Sequence, residues 1–445
     1  MANLSRRGEG LPVTTFQNFA GTVTAAPSVR QSVASLDQLG GLLESAAQTG
    51  HTVRTVGAGH SFTPLAKTDD VLLDLDGFQG IEEVDALTHD VTFRAGTRLW
   101  QVPDLLEPFG LALENMGDID RQSIAGAIST GTHGTGLKFT GFSGAVTALR
   151  LMLADGTQVR ASATEHSELF QAARVGLGAL GVITHVRLRC VPHYMMHAAE
   201  TIEAIEPLTE SFIERVALED HLEFFWFPGT DNAQVKTNTR LPGDTPAKAP
   251  GKLTAWVNDE LLSNGGLQAI CSVGAAMPRM IPRLNGFASR VLSDRSYTAT
   301  WNQTFISPRR VKFTEMEYAL PLENFAAAFA ELRRYFTTRP APVVFPLEVR
   351  TTAGDDTWLG TASGRNSVYI AVHRYIRDRV PQYFPEMESI LRSHGGRPHW
   401  GKQHTLRAPD LAQLYPRFQD FRAVRQQVDP QGLFVNDYLR ELLGA

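Results

Sequence analysis

Cysteine is nearly absent, with only Cys190 and Cys271 in a chain of 445 residues. They stand far apart and outside any metal-ligand spacing, which excludes a thiolate zinc site and a disulfide framework. One bridge could still join them, but two thiols in a chain of this length read as ordinary buried residues of a reducing compartment. An excess of one charge is lacking too. The 42 basic and 47 acidic residues leave a net charge of −5 with no block of like sign, which excludes the basic face that nucleic acid requires. No stretch approaches the roughly 18 apolar residues of a membrane span. Arg6 and Arg7 hint at a twin-arginine export signal, yet the following GEGLPVTTFQNFAG lacks the apolar run such a signal needs. The expected compartment is therefore cytoplasmic. Internal repeats and low-complexity tracts are also missing.

What is present is the mixture of a globular protein, 43% hydrophobic and 20% charged. At roughly 100–200 residues per domain, the length implies two or three domains. Ser35 with Gln38 forms a capping-box pattern ahead of the apolar stripe Leu36, Leu39, Leu42, Leu43 and Ala46, and Gly50 stops that helix. The short strand HTVRTV follows and runs into the glycine turn GAGHSF. Strands VLLDLDG and DVTFRAG come next, then a helix around Arg98 to Pro108. Asp155-Gly156 marks a hairpin between VTALRLMLA and QVRAS. After Pro192 the character changes to the strand LEFFWF, the polar loop LPGDTPAKAPGK, a helix from Leu322 to Thr337 and the strands VVFPLEVRTT and SVYIAVHRY. A mostly helical tail from Leu411 to Leu443 is broken at Asp429-Pro430-Gln431-Gly432. A domain boundary is expected near residue 192.

Four local patterns carry chemistry. GAGHS, Gly57 to Ser61, lacks the third glycine of a dinucleotide fingerprint and the Gly-Lys-Ser/Thr ending of a Walker loop. It remains a tight turn whose N–H groups could meet a phosphate, with an imidazole at its tip; a surface turn with an ordinary histidine fits the same residues. The run from Gly117 to Gly136 combines five glycines with the hydroxyls of Ser123, Ser129, Thr130 and Thr132. That chemistry suits a pyrophosphate held by neutral donors, or else a plain loop between strands. In VVFPLEVRTT, Glu348 and Arg350 share one strand face, and two opposite charges in an apolar run are costly to bury unless paired or used. Either a substrate clamp or a plain ion pair satisfies this. In RPHWGKQH, His399 and His404 lack acidic or thiolate partners nearby, so no metal is expected. Lys402 could stabilise negative charge beside a cofactor, or belong to a polar surface turn. His373 sits on the strand SVYIAVHRY, where a structural role is the alternative to catalysis.

Taken together and in order, VRTVGAGHSFTPLA, ENMGDIDRQSIAGAISTGTHGTG, ARVGLGALGVITHVRL, VKFTEMEYALP, FPLEVRTTAGDD and RPHWGK resemble the aldonolactone oxidoreductases of the vanillyl-alcohol-oxidase (VAO) flavoprotein superfamily. That group holds gulono-lactone and arabinono-lactone oxidases and dehydrogenases and, more distantly, alditol oxidases. The resemblance runs from about Ala26 onward. It implies an α+β fold of two domains: a PCMH-type FAD-binding domain over 26–192 and an α+β cap over 193–445 whose tail returns to the first domain. Residues 1–25 remain an extension of open role.

The resemblance further implies FAD bonded covalently through His60. Val56, Gly57, Ala58, Gly59, Ser61 and Phe62 surround that link. Gly117, Asp118, Ser123, Gly126, Ser129, Thr130, Thr132, His133 and Gly134 would hold the cofactor from the glycine-rich run, and Gly181, Val182 and His399 would complete its site. Glu348, Arg350 and Lys402 fall on the family's catalytic positions, with His373 a candidate proton acceptor. The implied reaction takes hydride from a secondary alcohol carbon of a sugar lactone to the flavin. Gly117 falls where a small residue is associated with oxygen access, so dioxygen is favoured over a cytochrome or quinone acceptor. A polyol substrate is one alternative, and a flavin-carrying binding protein without turnover is another.

Overall fold

The computed structural model describes residues 15–248, 265–291, 294–307 and 311–444. Arg6, Arg7 and the end of the LPGDTPAKAPGK loop, residues 249–252, lie outside them. The first unit is a three-stranded parallel sheet in which Val71–Asp74 lies between Val29–Ser32 and Val53–Thr55. Helix Leu36–Thr49 links two of these strands and buries Leu39, Leu43 and Ala46. Ser35 caps it by accepting from the Gln38 N–H at 3.2 Å, and the Gln38 side chain reaches back to the Ala34 N–H at 2.9 Å. Gly50 ends it at φ +68°.

Beside it lies an antiparallel sheet ordered Gln158–Ser162, Val146–Met152, Val182–Pro192, Asp90–Arg94, Ile81–Val84, with Leu111–Leu113 on the far end of Val182–Pro192. Two elements are shorter than their patterns predict, and proline explains both. The helix expected near Arg98 splits into turns at Leu99–Gln101, Val102–Leu106 and Glu107–Phe109, because Pro103 and Pro108 carry no N–H for the ladder. Strand VVFPLEVRTT pairs only over Leu347–Thr352, after Pro346. The glycine-rich run is also more regular than expected: Ser123 caps a short helix, Ile124–Ser129.

The chain leaves the first sheets at Pro192 and joins a second, all-antiparallel sheet of eight strands at Tyr194. Its order is Arg295–Thr300, Tyr194–Ala204, Asn232–Pro242, His221–Trp226, Leu347–Thr352, Ser367–Tyr375, Phe313–Pro321, Arg397–Pro398. Helix Phe325–Thr338 packs Phe325 and Phe329 against Phe224 and Trp226 of this sheet. Most of the buried apolar side chains form one continuous cluster through both halves, and Phe16, Ala25, Val56 and Leu72 form a second, small one. Cys190 and Cys271 are buried free thiols within it. No helix among the described residues is long and apolar enough to cross a membrane.

Contacts at two ends bind the halves. The fully buried Arg54 donates to the carbonyls of Leu65 (2.8 Å), Leu177 (2.8 Å), Gly178 (2.8 Å) and Phe434. Asn436 donates to the Pro64, Leu65 and Lys67 carbonyls, so the helical tail is stitched to the segment that follows the GAGHS turn. At the other end, the Gly136 N–H donates to the Thr351 carbonyl at 2.9 Å. There His221 lies flat on Phe139, 4.7 Å between ring centres, and its Nδ1 bonds the Thr135 carbonyl at 2.7 Å.

Burial lowers the His221 pKa to about 3 and the His404 pKa to about 4. An unfolded chain therefore binds protons that the folded one does not once the pH falls below about 6.5. Apoprotein stability should be level above that pH and fall towards pH 4, by up to about 1.4 kcal/mol per unit for each such histidine. Urea midpoints across this range check it, and His221→Gln should flatten the slope by one histidine's share. An unchanged slope in that variant would remove His221 from the acid response.

Candidate functional site

The face of the eight-stranded sheet towards the first half carries an unusual density of charge. Glu348 and Glu317 both lie opposite Ala371 on the neighbouring strand, Glu315 lies opposite His373, and Arg350 lies opposite Tyr369. Period-2 alternation puts all of them on one face, and the small Ala371 leaves room above it. That face is the floor of a cavity of about 750 Å³ whose walls come from the first half. His60, Ser61 and Phe62 form one wall, Gly117, Asp118 and Gln122 another, and Thr130, Thr132 and His133 a third. The RPHWGK turn contributes His399, Gly401 and Lys402. It is held to the GAGHSF turn by Phe62 N–H to Gly401 carbonyl (2.7 Å) and Thr63 hydroxyl to Trp400 carbonyl (2.9 Å).

The cations here survive burial because carboxylates surround them. Arg350 lies 2.5 Å from Glu348, 2.7 Å from Glu223 and 3.6 Å from Asp118. Burial opposes its charge, but these carboxylates, Glu348 first, keep its pKa well above the ordinary value. Lys402 pairs with Glu315 and lies over the Phe62 ring. Against burial, Glu315 and Glu317 hold its pKa up. Glu317 lies 3.3 Å from His133 and stays ionised despite burial, through His133, Lys402 and His399. His399 is driven the other way, to about 3, chiefly by burial and by Lys402. Burial together with Lys402, Arg98 and Arg121 lowers His60 to about 4. At neutral pH the His60 imidazole is thus uncharged, and an uncharged imidazole keeps a nitrogen lone pair.

A second cavity, about 690 Å³, continues from the first and shares Ser61 and Thr130 with it. Its lining includes Val56, Gly57, Ser123, Gly126, Ser129 and Gly181, and neither lysine nor arginine lines it among the described residues. A Cβ at Gly57 would lie 2.5 Å from the Ser123 hydroxyl, so only glycine lets these two loops close on each other. Ser123 Oγ accepts from the Gly126 N–H at 3.2 Å, which leaves its own proton to donate. Ser129 and Thr130 instead donate to the Ala125 and Gly126 carbonyls. Asp76, the one charged residue of this lining among the described residues, is paired with Arg98, so one elongated cleft runs from a glycine-walled end of no net charge to a charged end. The neutral end fits a pyrophosphate carried on backbone N–H groups, and the charged end fits a redox ring with its reductant, which is the shape and chemistry of FAD.

Most of the expected site residues meet in this cleft. Ala58, Gly59, Gly134 and Val182 do not line it; they shape the turns behind it, with Gly59 at φ +69°. His373 shares the face of Glu315 but does not line the cavity either; it is 2% exposed, and its Nδ1 donates to the Pro346 carbonyl at 3.2 Å. Its Nε2 faces Glu315 at 3.7 Å and Glu348 at 3.9 Å. A Cβ at Gly117 would lie 3.0 Å from the His133 carbonyl oxygen, so packing alone already favours glycine there. Sequence reasoning missed Glu223, Glu315, Glu317 and Phe19. The signal for the first three was available, since carboxylates at alternate positions of apolar strands are the same sign that marked Glu348. Ligand atoms of His133, Glu317 and His399 come within 4.8 Å of one another, but Lys402 and Arg350 at the same cavity oppose a further cation, and the His133–Glu317 pair accounts for the grouping. His404 stands apart, its ring edge-on to Trp400 and its Nε2 3.4 Å from the Tyr438 hydroxyl.

Two family models match this chain. One, described as D-arabinono-1,4-lactone oxidase, covers residues 186–442, and one described as FAD binding domain covers residues 27–162. An L-gulono-1,4-lactone dehydrogenase of Mycobacterium tuberculosis is 40% identical over 431 residues, 96% of this chain and 99% of that one. An L-gulonolactone oxidase of Mus musculus is 31% identical over 434 residues, covering 96% and 98%. Among solved structures, cholesterol oxidase from B. sterolicum aligns with a TM-score of 0.81 over 96% of each chain at 17% identity, a likeness of fold.

Replacing Glu223 by glutamine keeps the shape but removes one of the charges that offset Arg350. Loss of a charge-assisted buried bond should lower stability by about 1–3 kcal/mol, read as a lower urea midpoint at unchanged slope. A midpoint within error of wild type would mean that Glu348 and Asp118 alone suffice.

Proposed function

The chain belongs to the D-arabinono-1,4-lactone oxidase family, and from that premise we infer that it oxidises a secondary alcohol of a sugar lactone at the cavity over Glu348, Arg350 and Lys402. It is an FAD-dependent oxidoreductase of the CH–OH-oxidising class, with a VAO-type FAD-binding fold and a second, lactone-oxidase-type part. We assign residues 26–192 to the flavin and 193–445 to the cap, the change of sheets at His193 supporting that division. The observation that carries the reading is the convergence of His60, Asp118, Arg350, Glu348 and Lys402 on one cavity from distant parts of the chain.

Bound FAD supplies a two-electron acceptor for hydride from a carbon. The protein's part is to hold, orient and shift protons. Arg350, fixed by its carboxylates, offers N–H donors to hydroxyl or carbonyl oxygens of the lactone, and Glu348 accepts from a hydroxyl beside them. Together they set which C–H faces the flavin. The Lys402 ammonium, lining the same cavity, would offset negative charge on the reduced flavin and on the emerging carbonyl. His373, with Nδ1 committed to Pro346, keeps Nε2 towards Glu315 and Glu348 and can take the hydroxyl proton from that pair. The neutral His60 imidazole is the nitrogen nucleophile that we assign to the covalent flavin link. Dioxygen, ahead of a cytochrome or quinone, is the acceptor we assign from the resemblance at Gly117, where the close His133 carbonyl also gives the glycine a packing role.

Anaerobic mixing of the yellow protein with gulono-, galactono- or arabinono-lactone should bleach the flavin within turnover time, and open-chain polyols should bleach it far more slowly. Faster bleaching by a polyol would move the assignment to alditol oxidation, and bleaching by neither class would leave only a flavin-carrying protein. Glu348→Gln should slow lactone-driven bleaching by about 10²–10⁴-fold while the flavin stays bound. Wild-type reduction kinetics in that variant would remove Glu348 from the mechanism.

A further inference from the structure

Residues ahead of Ala26 lie before the segment that matches the FAD-binding family model, yet they reach the cavity. Phe16–Gln17 and Thr24–Ala25 pair as a small antiparallel hairpin. Asn18 organises its turn, its Oδ1 accepting from the N–H groups of Thr22 at 2.9 Å and Val23 at 3.0 Å. The same side chain turns its Nδ2 outward and donates to the Ser61 carbonyl at 3.0 Å. Next to it, the Phe19 N–H donates to the Gly59 carbonyl at 2.8 Å. The carbonyls of Gly59 and Ser61, the residues on either side of His60, are therefore each tied to this hairpin. Between those ties the Phe19 ring stacks on the His60 imidazole, 4.9 Å between centres and 25° from parallel. Phe19 is itself backed by Phe313 on the cap sheet. Gly59 is left-handed, and a Cβ there would lie 3.5 Å from the Phe16 ring.

A hairpin that only covered a sheet edge would have no reason to grip both neighbours of one histidine and to place a ring on its face. We propose that the hairpin over residues 16–25 is the positioning device for cofactor attachment, with Asn18 and Phe19 holding the His60 imidazole in the orientation in which it bonds to FAD. This rests on the covalent reading of His60. Attachment forms one C–N bond between an imidazole nitrogen and a ring-methyl carbon of the flavin. The imidazole N–H and one methyl C–H each lose a proton, and the two electrons pass through the flavin to dioxygen or another acceptor. A flat ring against the imidazole removes rotamer freedom without donating or accepting a bond, so both nitrogens stay available for that chemistry. Asn18 and Phe19 are positioning residues; the bond itself belongs to His60.

The test follows attachment by intact mass after FAD is added to apoprotein made under riboflavin limitation. Wild type should gain the cofactor's mass. Phe19→Leu keeps the apolar volume and loses the flat face, and should attach FAD about 10–100-fold more slowly. Phe19→Trp should restore the rate to within a few-fold. FAD affinity before attachment, read by flavin fluorescence in a His60→Ala background, should be the same with Phe19 or Leu at that position. If Phe19→Leu gives no cooperative unfolding transition, Asn18→Asp replaces it, since it keeps the turn's backbone acceptor and loses the donor to Ser61 together with the one to the Thr22 hydroxyl. An unmodified wild type would overturn the covalent reading and this proposal with it. A modified wild type with variants attaching at the wild-type rate, or losing affinity by the same factor as rate, would overturn the proposal alone.

Discussion

A guanidinium carried into a protein interior must bring its own solvent, and Arg350 does so with three carboxylates. Glu348 is two positions away on its own strand, Glu223 comes from the adjacent strand, and Asp118 comes from the glycine-rich half of the chain. The gain from each pair is offset largely by desolvation, so the cluster adds little to stability as a whole and much to the definition of geometry. Once Arg350 is fixed, the sheet face is fixed relative to the loop of Gly117 and Asp118. The same reasoning extends to Lys402, which is held between Glu315 and the ring of Phe62. Cations and anions here are mutually dependent, and any ligand of the cavity meets an array already oriented before it arrives.

The two ends of the cleft solve different problems. At the neutral end, glycine positions and a helix cap bring backbone groups close without a formal positive charge. At the charged end, burial and neighbouring cations push histidines towards neutrality while carboxylates keep lysine and arginine ionised. The imidazoles of His60 and His399 thus stand uncharged beside Lys402. A site built this way places a neutral nucleophile and a positive field within one cavity, which a single uniform environment could not do.

Much of this was legible in the chain because its signals are local. The Ser35 cap, the Gly50 stop, the Asp155-Gly156 hairpin and the Glu348/Arg350 strand all depend on residues within a few positions. The glycine turn carrying His60 was legible as a turn, and its chemistry became readable through the joint spacing of several motifs. Glu315 and Glu317 carried the same alternation as Glu348, but their place beside it was hidden, because strand Phe313–Pro321 joins that face only through the strand between them. Asn18 and Phe19 were hidden for a simpler reason: Asn18 meets Ser61 across 43 positions, and no periodicity reports such a contact. Short proline-broken elements, such as those around Pro103, were misjudged in length because apolar spacing says nothing about a missing N–H.

Arg54 also bears on how far the molecule can be taken apart. Its guanidinium has no carboxylate partner among the described residues; it is solvated by carbonyl oxygens, one of them Phe434, 380 positions along the chain. A fragment that stops at the change of sheets would leave that guanidinium short of an acceptor, and the turn after His60 without the three bonds from Asn436. The flavin half is therefore not a module that can be swapped. A chimera between relatives has to carry the strand of Arg54 and the segment around Phe434 from the same parent, even though 380 positions separate them.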